Sequence, residues 1–323
     1  MREITFSQAT LEAMSEEMER DSRVFVMGED IARQGGIFGQ FKGLPDKFGT
    51  DRVLDTPISE TAIIGAAVGA ALAGMRPVAD MHFADFIGVC MDEIFNQMAK
   101  IRYMFGGQTT VPVVVRAPDG IASRAAAQHS QSVEAWFAHI PGIKVVAPSN
   151  PADAKGLLKS AIRDDNPIIY FENKILYKQK GPVPEGEHLV PIGKANVIRE
   201  GKDVTVVSYS IMIQQVLKAA DILEKDGISV EVIDLRTISP IDKETILESV
   251  KKTHRLAIAH EAVKSFGVGA EIAAMAAEEA IGYLDAPVLR FGAPFTPVPF
   301  APTLEDAYKV YGEDIAKGIR KMF

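Results

Sequence analysis

The sequence predicts an α/β protein of two doubly wound domains, on three observations. Short β-branched runs alternate with helical stretches along the whole chain. The runs are apolar throughout, as strands covered on both faces of a parallel sheet must be. The alternation lapses once, over Lys174–Val190 (KILYKQKGPVPEGEHLV), where Gly, Pro and charge gather as in a linker.

In the first half, Arg23–Met27, Arg76–Met81, Val111–Arg116, Ile143–Ala147 and Ile168–Phe171 read as strands. Helices are expected near 6–20, 59–74, 83–105, 132–139 and 151–163. The last opens on SNPAD, where Ser149 or Asn150 caps and Pro151 takes the first helical position. Beyond the linker, Val204–Ser208, Val230–Leu235, Arg255–His260 and Pro287–Phe291 read as strands, with helices near 211–225, 241–252, 268–282 and 304–321. The domains are therefore expected over 1–185 and 191–323, and the 323 residues give each an ample core.

Composition narrows the function. A formal net charge of −8 with no Lys/Arg cluster argues against a nucleic-acid partner. The sequence contains no run of about 18 apolar residues, so no membrane helix is expected. The acid-rich start MREITFSQATLEAMSEEMER lacks the apolar core of a signal peptide. The single cysteine, Cys90, allows no disulfide within the chain and reads as a small buried hydrophobe. A reducing cytoplasm fits these features.

Two motifs carry chemistry. Asp55–Glu60 (DTPISE) delivers a carboxylate through a Pro-containing turn onto a helix of small residues: Gly65, Ala66, Gly69, Ala70, Ala73 and Gly74. Each glycine there costs roughly 0.5–1 kcal/mol relative to alanine, and in return another backbone can approach closely. Glu60 is thus a candidate site residue, against the simpler role of offsetting the helix dipole. The second motif is Arg124–Ser132 (RAAAQHSQS), on a loop after a strand, where ligands of parallel sheets gather. His129 in it has the side chain whose ordinary pKa suits proton exchange near neutrality, against the plainer reading of a hydrogen-bonded loop histidine. His82 and Phe86 (MHFADF) begin the next helix after a strand end, Phe86 being either core or a stacking face. The segment Ser265–Ala270 (SFGVGA) imitates a dinucleotide loop, but Ile272 stands where the third glycine belongs, so packing is favoured over NAD. Metal patterns (H-E-x-x-H, C-x-x-C) and a G-x-S-x-G elbow are absent.

Taken in order, DTPISE, RPVADMHFADF, RYMFGG, AAAQHSQS, IPGIKVVAPSNPADAKGLLKSAIRDDNP, VIDLRTISPID and FTPVPFAP resemble the beta subunit of the thiamine diphosphate-dependent first component of 2-oxo acid dehydrogenase complexes, over essentially the whole chain. The resemblance implies a pyrimidine-binding domain followed by a transketolase C-terminal-like domain. It implies that Glu60 hydrogen-bonds the aminopyrimidine nitrogen and so helps generate the nucleophilic ylide, that Phe86 packs on the pyrimidine with His82 on the same wall, and that His129 stands near the reacting carbon. A potassium site resembling the family's would use Val113, Ala161, Ile162, Asp164 and Asn166. The family's magnesium-anchoring GDG segment is missing; the nearest match, Pro118-Asp119-Gly120, lacks the first glycine. An alpha subunit is therefore expected to hold magnesium and the diphosphate in an α2β2 heterotetramer, working with a lipoyl acyltransferase core and a dihydrolipoyl dehydrogenase.

For substrate, DFIGVCMDEIFNQMAKIRYMFGG, RAAAQHSQS and TPVPFAPTLED look closest to acetoin dehydrogenases, whereas the short GEDIARQGGIFGQFKGL looks like pyruvate-type subunits. Either passes a hydroxyethyl or acyl group to lipoamide. Branched-chain 2-oxo acids come third. Outside this class, a non-catalytic assembly subunit and a self-sufficient transketolase-like enzyme are the competing expectations.

Overall fold

The computed structural model of the chain describes residues 1–122 and 124–323. They divide into two units, Met1–Asp119 with Trp136–Ile192, and Gly120–Ala135 with Gly193–Phe323. The loop carrying RAAAQHSQS thus belongs with the second unit, although it follows a strand of the first.

Unit 1 begins with β1 (Arg2–Thr5) and α1 (Phe6–Arg20). Thr5 closes a capping box with Gln8: the Gln8 N–H donates to Thr5 Oγ1 at 3.1 Å, and the Thr5 N–H donates to Gln8 Oε1 at 2.9 Å. There follow β2 (Val24–Gly28), α2 (Leu44–Phe48), β3 (Val53–Asp55), α3 (Glu60–Leu72), β4 (Arg76–Asp80), α4 (Ile101–Met104), β5 (Val114–Asp119), α5 (Glu134–Ala138), β6 (Lys144–Val146), α6 (Pro151–Arg163), β7 (Ile168–Asn173) and β8 (Lys180–Val183). As the sequence indicates, Pro151 is the first residue of α6, and Asn150 Oδ1 accepts the Asp153 N–H at 2.9 Å. Within unit 1 the sheet runs β6-β7-β5-β4-β2-β3, every pair parallel. Val26, Val78, Val114, Leu157, Leu158 and Ile168 lie in its buried core.

Three expectations change. The helix expected over 83–105 breaks into a tight 3₁₀ segment (Ala84–Cys90), a wide π turn (Glu93–Met98) and α4. The buried residues explain the break: Ala84, Ile87 and Cys90 recur every third position, which suits three residues per turn, and the spacing then widens to four at Ile94 and Met98. The linker is not structureless, because β8 pairs antiparallel with β1, and a turn at Leu176–Lys178 buries Leu176 and Tyr177. Strands of three or four residues such as β1, β3 and β8 are too short to show a period. The last helix splits as well, at Lys309–Tyr311.

Unit 2 holds β9 (Asn196–Arg199), β10 (Val204–Ser208), α7 (Met212–Glu224), β11 (Val230–Asp234), β12 (Thr237–Ser239), α8 (Lys243–Thr253), β13 (Leu256–Val263), α9 (Val268–Glu279), β14 (Leu289–Ala293), α10 (Pro302–Tyr308) and α11 (Gly312–Ile319). Its sheet runs β14-β13-β10-β11-β9, parallel except for the edge strand β9. The break before α11 arises because the Tyr311 N–H donates to Asp314 Oδ2 at 3.0 Å, starting a new helix. No helix among the described residues is long and apolar enough to cross a membrane.

Candidate active site

Strand order dictates where a ligand can sit in unit 1. From β2 the chain passes to β3 on one side and then to β4 on the other, so the carboxyl ends of β2 and β4 flank a topological switch point. β2 ends at Gly28, which pairs with Asp55 and Asp80. A Cβ there would lie 2.7 Å from the Asp80 carbonyl oxygen, so glycine alone lets the strands close. Glu29 follows β2, and Met81 and His82 follow β4. The Thr56 N–H donates to the Gly28 carbonyl at 2.9 Å, fastening DTPISE onto the same strand end. Ser59 then takes the N-cap position and Glu60 the first position of α3.

The electrostatics are those of acids lacking bases. Glu60 is half-buried, and its carboxylate has no hydrogen-bond or ion-pair partner among the described residues. The Glu29 carboxyl is raised above its usual range by burial and then by the charges of Glu60 and Asp30. His82 Nδ1 lies 3.8 Å from Glu29 Oε2, and burial holds the imidazole below its ordinary pKa. Burial, with Glu93 and Glu60 nearby, pushes the Cys90 thiol up to about 12. The Thr56 hydroxyl is buried and has no partner among the described residues. Phe86 is half-buried and meets Phe83 edge-on, with centroids 5.8 Å apart at 89°, and Phe83 meets His82 at 5.6 Å. A bare carboxylate, an open hydroxyl and an aromatic face beside one switch point fit a flat amino-heterocycle that offers an N–H.

Of the residues expected from sequence, the structure thus brings Glu60, His82 and Phe86 to one end of unit 1, with the Phe83 ring between His82 and Phe86 as an addition. His129 belongs to unit 2, on a 3₁₀ turn (Ala127–His129). Val113, Ala161, Ile162, Asp164 and Asn166 cluster around the turn between α6 and β7, and basic groups already engage several of their oxygens. Arg76 Nη1 donates to the carbonyls of Ile162 (3.0 Å) and Asp164 (3.1 Å), Lys144 holds the Asp164 carboxylate, and Arg102 donates to Asn166 Oδ1 at 2.5 Å. As a donor set for potassium these groups fit poorly, since the positive charge is already supplied. Among the described residues no group of three or more His, Cys, Asp or Glu could hold a metal ion.

The SFGVGA loop is explained by packing. Cβ atoms on Gly267, Gly269 or Gly292 would come within 3.0 Å of the buried His260 ring, so the glycines close around that imidazole. The small face of α3 is a different matter: Ala62, Ala66, Gly69 and Ala73 are exposed, and beyond the helix's own backbone no described residue lies within 4 Å of a Cβ built on Gly69. Glu29 and Thr56 were missed at the sequence level, although Glu29 directly follows a strand and Thr56 lies inside DTPISE.

The family described as transketolase, pyrimidine binding domain matches residues 2–180, and the transketolase C-terminal domain matches 193–315. The beta subunit of acetoin:2,6-dichlorophenolindophenol oxidoreductase from Cupriavidus necator is 50% identical, covering 99% of this chain and 97% of that protein. The 2-oxoisovalerate dehydrogenase beta subunit of Bacillus subtilis is 49% identical over 96% and 95% of the two chains. The pyruvate dehydrogenase E1 component subunit beta of Rickettsia felis is 48% identical over 99% and 98%. In fold, a split-gene transketolase solved as an inactive beta4 tetramer superposes with a TM-score of 0.82 at 24% identity, covering 99% of this chain and 98% of that one. A switch-point carboxylate in a pyrimidine-binding domain, and close relatives matched along their whole length, lead to one conclusion: the chain belongs to the beta-subunit family of thiamine diphosphate-dependent 2-oxo acid and acetoin dehydrogenases.

Proposed function

We propose that the chain forms one half of the active site of a cytoplasmic pyruvate or acetoin dehydrogenase that passes its acyl group to lipoamide. A branched-chain 2-oxo acid is the runner-up substrate, since relatives named for all three substrates lie within two percentage points of identity. The observation that carries the reading is Glu60, a half-buried carboxylate with no hydrogen-bond or ion-pair partner among the described residues, at the switch point of a pyrimidine-binding domain.

When bound, thiamine diphosphate supplies a nucleophilic carbon and an electron sink for the substrate carbonyl. The chain's own residues bind and tune it. Glu60 accepts a hydrogen bond from the pyrimidine nitrogen and holds a proton there, while Phe86 offers its face to the ring and His82 completes the wall. Glu60 stands at the start of α3 beside Glu29, whose own carboxyl is raised by burial and then by the charges of Glu60 and Asp30. His129 serves the reacting end as a proton-transfer group.

The alpha subunit supplies magnesium and the diphosphate grip, because the GDG segment is absent here. The exposed small-residue face of α3 gives a second subunit a surface it can approach closely. Domains 1–185 and 191–323, an α2β2 assembly, a lipoyl acyltransferase and a dihydrolipoyl dehydrogenase complete the proposal. The test is co-expression with the alpha subunit and lipoamide-dependent turnover of acetoin, pyruvate and 2-oxoisovalerate. Glu60→Gln should abolish most turnover on the preferred substrate, and near wild-type turnover would reject the reading.

A further inference from the structure

The loop Gly120–Ala135 is built as a piece of unit 2, and its anchors are specific. Its neck is closed by the Gly120 N–H donating to the Gln131 carbonyl at 3.1 Å. Glu261 Oε2, just inside the end of β13, accepts from the Ile121 N–H at 3.2 Å and from Ser132 Oγ at 3.3 Å, gathering both ends of the loop. Tyr209 OH donates to Glu134 Oε1 at 2.5 Å. Ile121 is buried in a cluster with Ala293, Val298 and Tyr308.

Between these ends stands Arg124. Its Nη1 donates to Glu305 Oε1 at 2.6 Å and Asp306 Oδ1 at 2.9 Å, and its Nη2 donates to Asp306 Oδ2 at 3.0 Å, a fork on α10. The side chain of Glu305 is 1% exposed, so this carboxylate is not a mobile surface partner. The backbone beside the fork is strained. Arg124 has φ 62°, and Ala126 has φ 64° and ψ −171°, a region that residues other than glycine rarely enter. Ala126 immediately precedes the turn that carries His129. Such a backbone persists only where its surroundings over-determine it.

We propose that Arg124, through its fork on Glu305 and Asp306, is a positioning residue that holds the strained 124–129 backbone and thereby aims His129. The inference rests on His129 being a site residue. Arg124 does not touch the reacting atoms; it fixes the peptide from which the imidazole projects. Misplacing a reacting group by about 1 Å can cost on the order of 100-fold in rate, so the pin acts on turnover more than on binding.

The test uses the chain assembled with its alpha subunit and loaded with cofactor, comparing Arg124→Gln, Arg124→Lys, Asp306→Asn and His129→Ala. Arg124→Gln and Asp306→Asn should each lower kcat about 10- to 100-fold while KM and the cofactor dissociation constant change less than about twofold. Amide exchange at Ile121, Ala125 and His129, each hydrogen-bonded in the loop, should quicken in both variants, and exchange in α3 should not. Arg124→Lys keeps the charge without the fork and should recover only part of kcat. Unchanged exchange in the loop, or unchanged kcat in both fork variants, overturns the proposal. Failure of the site reading looks different: His129→Ala would then keep full turnover, removing any purpose for the pin even if Arg124→Gln loosens the loop.

Discussion

Unit 1 treats its carboxylates in two opposite ways. Between α1 and α6 the glutamates meet bases. Glu17, fully buried, takes Arg163 Nη2 at 2.6 Å and Arg20 Nε at 2.7 Å, while Glu16 takes Lys155 at 2.5 Å and Lys159 at 2.7 Å. Deeper in, Glu172 grips Arg116 through both oxygens, and Arg116 also donates to Thr10 Oγ1 at 2.8 Å and lies 4.8 Å over the Phe41 ring. At the switch point, by contrast, Glu29 and Glu60 press on one another with no lysine or arginine paired to either among the described residues. Burial of an acid is therefore not the mark of chemistry in this fold. The mark is burial without a matching cation, because such a group can still change its proton.

The comparison is broken most sharply by exchanging what each region loses. Glu60→Gln should lower turnover by roughly 10²- to 10⁴-fold, the usual worth of a positioned acid-base group. Its unfolding free energy should stay within about 0.5 kcal/mol of wild type, since the carboxylate holds no described residue in place. A large loss of stability would make Glu60 a structural acid after all.

Glu172→Gln should do the reverse. It leaves the fully buried Arg116 without its main counter-charge, and removing one partner of a buried pair costs about 3 kcal/mol or more. Urea unfolding reads that loss, while turnover per folded molecule should remain near wild type. If activity fell while stability held, the division between paired and unpaired acids would be wrong.

Asp80 sharpens the boundary between the two regions. It ends β4 beneath the switch point, and burial pushes its carboxyl up to about 8, with Arg116 pulling down and Glu172 pushing up. A carboxyl whose folded pKa is raised keeps its proton while the unfolded chain has lost it. Its stabilising contribution is complete below the unfolded value near 4 and declines as pH rises toward 8, by at most ~1.4 kcal/mol per pH unit. Asp80→Asn should therefore exceed wild type in stability at pH 8, by up to about 5 kcal/mol, and match it near pH 4. An equal offset at both pH values would show that Asp80 is already ionised, paired with Arg116.

Much of this was legible in the sequence, for reasons that follow residue by residue. The apolar strands and α6, with Asn150 and Pro151 at its start, are local patterns. Glu60 stood out because an acid after a Pro-containing turn opened a helix of glycine and alanine. What stayed hidden depends on partners far along the chain. Nothing near Arg124 announces Glu305 and Asp306, about 180 positions later, so the ownership of the His129 loop by unit 2 could not be read. Glu29 gains meaning only when β2 and β3 bring it beside Glu60. The spacing of Ala84, Ile87 and Cys90 was present throughout, but a three-residue period is easily taken for a helical one.

The smallest expected effect concerns the carbonyl turn after α6, which belongs with the paired regions. Arg76, Lys144 and Arg102 already stand on the oxygens of Ile162, Asp164 and Asn166. The lowered pKa of Asp164, where hydrogen bonds from Lys144 and Asn166 outweigh the opposing effect of burial, describes a carboxylate whose charge is met. An added potassium ion would have to displace a guanidinium and crowd an ammonium, so its net gain is small. Replacing sodium by potassium at equal ionic strength should move the melting midpoint of the assembled protein by less than about 1 °C. A rise of about 5 °C or more would mean that potassium displaces Arg76. Those carbonyls would then belong with Glu60, among the groups proposed to take their partner from outside the chain.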